Sequence, residues 1–364
     1  MQKTINSNKL KITTLTPVHI GTGDDYTPTN YILDNDYLYY FQDDVINLLP
    51  TSKIDELNQK LRGNVDERFI HAYIKILNEN KDIIKKNSKY KIPINSGFFA
   101  EYEKKIIRTY NNDFFVNRTL INSFNYNSII PGSSINGAVR TAIVESWSKG
   151  KTERCEKISE KFMKFFLETD QKPETNIMKY IKFEDVVMGG TETRKIYYAI
   201  NCKKKVDQSK LKNPRVTTRI ETIDYENTGI FNINLLNTNI NHNSPVPTIN
   251  EIAEFCNDRY LDMFKDHLIS MYRDEKTLNF SHYNRLVRCY NLISDNYETK
   301  FILRLGKYSG AEAMTLPGRN IKINRGKKLN PTYEDSSTTH WLVSDKENVN
   351  NDMLPFGWIL CELI

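Results

Sequence analysis

The stretch IIPGSSINGAVRTAI, residues 129–143, sets down in order the parts of an anion site. Pro131 and Gly132 stop the chain, Ser133 and Ser134 follow, and an apolar stripe then begins with Arg140 on its opposite face. The first amides of a helix lack intrahelical partners and sit at the positive end of its dipole, so a phosphate placed there is stabilised. Gly132 would let a ligand approach closely, and Ser133 or Ser134 can cap the helix or donate to a phosphate oxygen. Asn136 and Arg140, four residues apart, share the face away from the stripe. Together they suit a phosphodiester; the plainer alternative is a serine-capped helix with a surface arginine. His19, alone among apolar neighbours, is either structural or a general acid or base beside RNA.

Charge gives a second chemical signal. The chain carries a formal +6, and the segment from Lys203 to Arg219 alone holds Lys203, Lys204, Lys205, Lys210, Lys212, Arg215 and Arg219 against the single acid Asp207. A further stretch, residues 318–328, adds Arg319, Lys322, Arg325, Lys327 and Lys328 with no acid. A run of charge is often only a solvated face. Two basic loops in a chain with 21 tyrosines and 17 phenylalanines favour a polyanion, because phosphates attract cations and unpaired bases stack on aromatic faces.

Other chemistries find little support. GTGDD, residues 21–25, lacks the third glycine and the helix of a dinucleotide fingerprint, and neither HExxH, CxxC nor a Walker lysine occurs. Glu184 and Asp185 would hold a metal only if distant carboxylates converged on them, so neither metal nor cofactor is expected. The five cysteines are odd in number and far apart, which suggests reduced thiols rather than a disulfide framework. No stretch approaches the roughly 20 apolar residues of a membrane span, and the N-terminus lacks a signal-peptide core. The expected location is the cytoplasm, with no membrane partner.

The elements that must position these residues can be read from periodicity. KLKITTLTPVHIG alternates Leu10 and Ile12 against Lys9, Lys11 and Thr13, a strand ended by Pro17. Asp34-Asn35-Asp36 lies between two β-rich runs as a tight turn. Residues from about 44 to 110 read as a helical insertion, with Phe69, Tyr73, Ile76 and Leu77 on one face. Ile135, Ala138, Val139, Ala142, Ile143 and Trp147 recur at helical spacing over 133–147. A second helix is expected at 155–168, then a strand over 181–188 and another over 195–201. After the basic segment, residues 217–236 resume extended structure. The longest helix spans 248–276, and KFILRLGKYSGAEAMTL supplies a strand that breaks at Gly306 and Gly310. PFGWILCELI reads as a short closing strand. The order β, insertion, α, β, β, α, β is that of an α+β, ferredoxin-like or RRM-like core. It divides into residues 1–236, with the basic segment as a projecting thumb, and residues 237–364, with room for a second degenerate RRM-like unit.

LTPVHIGTGDDY, IIPGSSINGAVRTAI and LRLGKYSGAEAMTL together resemble the RAMP proteins of type III CRISPR effectors. Within that family they are most similar to the type III-A Csm subunit that caps the backbone at the 3′ part of the guide RNA. The resemblance implies a RAMP core and a cytoplasmic antiviral ribonucleoprotein. Its implied partners are guide RNA (crRNA), neighbouring RAMP backbone subunits and a host nuclease that trims the guide. It implies RNA contacts at His19, Ile20 and Gly21 and at Gly132, Ser133, Ser134, Asn136 and Arg140. To these are added Arg304 and Lys307 of the late loop and the basic residues of both charged stretches. Many relatives carry lysine where Asn136 stands. The aspartate of target-slicing subunits has no counterpart in YTPTNYI, so a non-catalytic subunit is expected, with a guide-processing ribonuclease using His19 as the rival reading.

Overall fold

The computed structural model describes residues 4–61, 67–107, 113–148, 160–168, 172, 175–204, 216–237, 245–316, 321–323, 330–334 and 336–364. The alternation of the first strand is realised in β1 (Thr4–Thr14), where Leu10 and Ile12 are fully buried and Lys9 is exposed. Pro17 ends it before β2 (Gly21–Tyr26). β3 (Tyr31–Asp34) and β4 (Tyr37–Tyr40) form the expected hairpin, with Asn35 at φ 49° in its turn. Asparagine tolerates that left-handed conformation.

Three helices follow, α1 (Thr51–Lys60), α2 (Glu67–Glu79) and α3 (Lys81–Lys86), before β5 (Tyr90–Pro93) returns beside β4. Tyr73, Ile76 and Leu77 pack with Ile32, Phe41, Leu57 and Ile84 in a satellite core separate from the main one. After α4 (Ser96–Tyr102) come β6 (Val116–Thr119), β7 (Ile129–Ile130), α5 (Gly132–Ser148) and α6 (Glu160–Leu167).

The strand expected over 181–188 is two strands, β8 (Ile181–Phe183) and β9 (Val186–Met188). The break frees two carboxylates. Glu184 accepts from the backbone and side-chain amides of Asn232, and Asp185 turns to the start of α5. Then come β10 (Arg194–Lys203), β11 (Thr217–Ile223), β12 (Thr228–Asn237) and α7 (Ile249–Ile269). In α7, Thr248 and Glu251 form a reciprocal capping box, and the α-helix stops short of the expected residue 276. α8 (Phe280–Ser294) was not expected; Leu286 and Ile293 are buried on it, and Tyr283 and Tyr290 pack beside them. The chain closes with β13 (Lys300–Arg304), β14 (Ile321–Ile323), β15 (Thr332–Glu334), β16 (Thr339–Ser344), β17 (Leu354–Pro355) and β18 (Trp358–Leu363).

Two large sheets organise these strands. The first runs β13-β18-β1-β12-β9-β7, with β8 also beside β12, and α5 and α7 pack on it and on each other. It takes strands from both sides of residue 236. The closing strand is therefore interior, between β13 and β1. The second sheet runs β17-β16-β10-β11-β6-β2. At its centre Arg194 and Glu221 form an ion pair with both side chains fully buried. Glu221 also accepts from the Tyr26 hydroxyl at 3.1 Å and the Thr119 amide at 3.0 Å, so its lone pairs are occupied.

Candidate nucleic-acid interface

The turn after β1 is built around His19. Its Nδ1 donates to the Glu221 carbonyl at 2.7 Å and the ring packs against Tyr308. The side chain is buried, and burial pulls its pKa down to about 4. In the unfolded chain the same group takes its proton near pH 6.5, so the unfolded state binds more protons at acid pH. The stability contributed by neutral His19 is complete above pH 6.5 and is lost as the pH falls toward 4, by about 3 kcal/mol at the lower limit. His267, buried on α7, shifts in the same direction. Urea unfolding at pH 7 and pH 4.5 should therefore show a smaller acid loss for His19→Gln than for the parent chain. Equal losses would exclude His19 as the responsible group.

The late loop closes onto this turn. Gly306 has φ 90°, and a Cβ there would lie 2.7 Å from the His19 carbonyl, which accepts from the Lys307 amide at 3.0 Å. Only glycine fits that approach. Leu305 donates to the Gly357 carbonyl, and Gly357 donates to Pro17, joining the turn, the loop and the start of β18.

The third part is the start of α5, where the expected stripe Ile135, Ala138, Val139, Ala142 and Ile143 is buried. Gly132 serves the protein rather than a ligand. A Cβ there would fall 2.3 Å from the Phe183 carbonyl, and its N–H already donates to Asp185 at 2.7 Å. The first amide of the helix is thus already taken by an internal carboxylate. Ser133 is exposed and Ser134 half-buried.

Ile20 and Gly21, the α5 face from Ser133 through Arg140 to Thr141, and Arg304 to Lys307 with Ser309 line one groove of 580 Å³. Three distant motifs meet there. Asn136, half-buried, is not among the lining residues. Arg304 is only 7% exposed; its Nε donates to the Phe356 carbonyl at 3.2 Å and its guanidinium lies over Trp358. No carboxylate lies within ion-pair distance of it among the described residues; burial lowers its pKa to about 10, an effect that the more distant Glu312 carboxylate partly opposes. Arg140 and Lys307 are exposed on the flanking walls, also without an ion pair among the described residues. A desolvated cation flanked by two solvated ones favours an anion in the groove.

Sequence reasoning missed what holds the walls apart. Arg259 of α7 donates to the carbonyls of Glu312 (3.1 Å), Ala313 (3.1 Å) and Thr315 (3.2 Å) and pairs with Glu145 of α5. The Tyr260 hydroxyl lies 3.2 Å from the Ala138 carbonyl and 3.4 Å from that of Ala313, one on each wall. An arginine buried on the packed face of a helix was the one available signal.

The basic stretches divide. Lys203 ends β10 and is exposed, and Lys322 is exposed on β14. Lys204 is paired with Glu312 at 2.5 Å, an interaction that helps hold the Glu312 carboxyl down at about 2. Arg219 lies within β11, paired with Glu101 at 2.5 Å and stacked on Phe114. Lys205, Lys210, Lys212, Arg215, Arg319 and Arg325 fall outside the described residues. Among the described residues no cluster of three or more His, Cys, Asp or Glu side chains is placed to hold a metal, and no helix is long and apolar enough to cross a membrane.

Comparison with known proteins follows the same lines. CRISPR system Cms protein Csm5 of Streptococcus thermophilus is 26% identical over 160 residues, which is 43% of this chain and 43% of that protein, so the match spans less than half of the relative. A chain in the cryo-EM structure of a Csm-crRNA-target RNA ternary complex of a type III-A CRISPR-Cas system aligns with a TM-score of 0.56 at 16% identity, over 98% of this chain and 100% of that one. The crystal structure of T. onnurineus Csm5 aligns with a TM-score of 0.45 at 14% identity, over 96% and 99% of the two chains. At these identities the structural likeness is one of fold. The family profile of the RAMP superfamily matches residues 11–283, a span that holds the His19 turn and all of α5, and the chain belongs to the RAMP superfamily.

Proposed function

We propose that this chain is a non-catalytic, crRNA-binding subunit of a type III-A Csm ribonucleoprotein, placed at the 3′ side of the guide beside neighbouring RAMP subunits. The observation that carries this reading is Arg304, a buried guanidinium with no carboxylate in ion-pair contact among the described residues, at a groove where the three family-like motifs converge. RNA phosphates supply the missing charge. The fold reading accompanies it: β1, α5, β8/β9, β12, α7 and β13 follow one another as βαββαβ. Their order in the sheet is ferredoxin-like, with β18 intercalated. On this reading the boundary near residue 236 falls inside one core. The thumb of residues 203–219 begins at the end of β10 and runs into β11, its residues 205–215 lying outside the described residues, and a guide-trimming nuclease docks on the assembled particle.

The burial of His19 and its low pKa speak against a general base working at neutral pH. The test is incubation of the purified protein with repeat-containing guide RNA in EDTA, followed by filter binding and gel analysis. Binding without cleavage is the expected result. Cleavage lost on His19→Ala would replace this reading with that of a metal-independent ribonuclease.

A further inference from the structure

The groove supplies cations for phosphates, but among the described residues no aromatic side chain lines it. Proteins that hold single-stranded nucleic acid pair a cationic track with aromatic faces on which bases stack. An exposed aromatic stands on the loop joining β6 to β7, whose two feet adjoin the groove. At one foot of that loop Leu120 donates to the carbonyl of Ile20, a lining residue, at 2.8 Å. The other foot runs through Ile129 and Ile130 directly into the start of α5.

The tip between them is well ordered by its own bonds. Asn122 Oδ1 accepts from the Phe124 amide at 2.8 Å, Asn122 N–H donates to the Asn127 carbonyl at 2.8 Å, and Asn125 Oδ1 accepts from the Asn127 amide at 3.1 Å. Tyr126, at φ 59°, packs its ring 4.9 Å from that of Tyr90 and anchors the turn to the body. Phe124 at the apex is 93% exposed, the highest value among the exposed large apolar side chains of the described residues.

We infer that Phe124 is a stacking platform for an unpaired nucleobase of the RNA strand that leaves the groove, an inference that rests on the groove binding RNA. A turn fixed by side-chain hydrogen bonds presents the ring without first having to order it, which lowers the entropy cost of binding. The neighbours at the tip, Ser123 and Asn125, are polar and exposed. Protein-docking hot spots sit in desolvated surroundings that this tip lacks. Stacking on a base needs no such surround, because one ring face is sufficient.

The test titrates an unstructured single-stranded RNA oligonucleotide against the full chain. Phe124→Ala should weaken binding roughly tenfold with no change in salt dependence, because stacking releases no counterions. Phe124→Trp should keep the affinity, and its added fluorescence should be quenched on RNA binding. Arg304→Met in the same series reports on the groove. Unchanged affinity in Phe124→Ala while Arg304→Met weakens binding overturns the stacking inference alone. Unchanged affinity in both overturns the groove reading and this inference with it. If Phe124→Ala binds RNA normally but no longer joins neighbouring Csm subunits, the ring is a protein anchor and the inference is wrong.

Discussion

Exchanging Arg304 for methionine should weaken guide RNA binding by about ten- to a hundredfold while leaving folding stability unchanged or raised. The first effect follows from losing a charge-assisted contact, worth about 1.5–3 kcal/mol. The second follows because a buried charge with only the more distant Glu312 to offset it costs desolvation free energy that an apolar side chain of similar length does not. Methionine also preserves packing over Trp358. The triple variant with Arg140→Ala and Lys307→Ala added should lower the magnitude of the salt-dependence slope by about 2 relative to the parent, since each of the three phosphate contacts on a single strand contributes about 0.7. RNA titrations at several salt concentrations, with thermal melts alongside, read both effects. Lower stability with unchanged affinity would make Arg304 a structural residue and remove the main support for the proposed function.

Glu221→Ala should destabilise the protein by about 3–5 kcal/mol, the typical cost of stranding one member of a buried ion pair. Here the stranded group is the Arg194 guanidinium, which is fully buried. The Tyr26 hydroxyl and the Thr119 amide lose their acceptor as well. The double variant Arg194→Met/Glu221→Leu should recover most of that loss, because no uncompensated charge remains. Urea unfolding of the three proteins gives the comparison. A single variant within about 0.5 kcal/mol of the parent, the usual range for surface changes, would mean that water reaches the pair.

How much of this was legible follows the range of the signal. Local periodicity marked β1, the β3–β4 hairpin and α5, because each element shows a regular apolar pattern within its own length. It failed for α8, and for 181–188, where apolar residues on both sides of Glu184 and Asp185 conceal a break set by the bonds of those two carboxylates to β12 and α5. The groove-lining turn, helix and loop were identified, since glycine and proline punctuation is local. Their fine roles were not. Gly132 looked like a ligand contact because the approaching Phe183 carbonyl lies 51 positions on in the chain, and Arg219 looked like a free cation because its partner Glu101 is 118 residues away. Counting charges does not reveal which are already paired. The Arg259–Tyr260 clamp is tertiary throughout and has no pattern of its own.

The interior placement of β18 has a consequence for how the protein is made. Trp358 donates to the Thr16 hydroxyl across 342 positions of chain, so until nearly the whole sequence has left the ribosome β1 keeps one unpaired edge and β13, at the end of the sheet, lacks its partner strand. Open edges are templates for wrong pairing, and such long-range closure is slow. The same late residues supply the Phe356 carbonyl and the Trp358 ring that seat Arg304. The cationic floor therefore comes into being at the last step of folding, and a nascent or truncated chain offers no finished groove in which RNA could be captured too early.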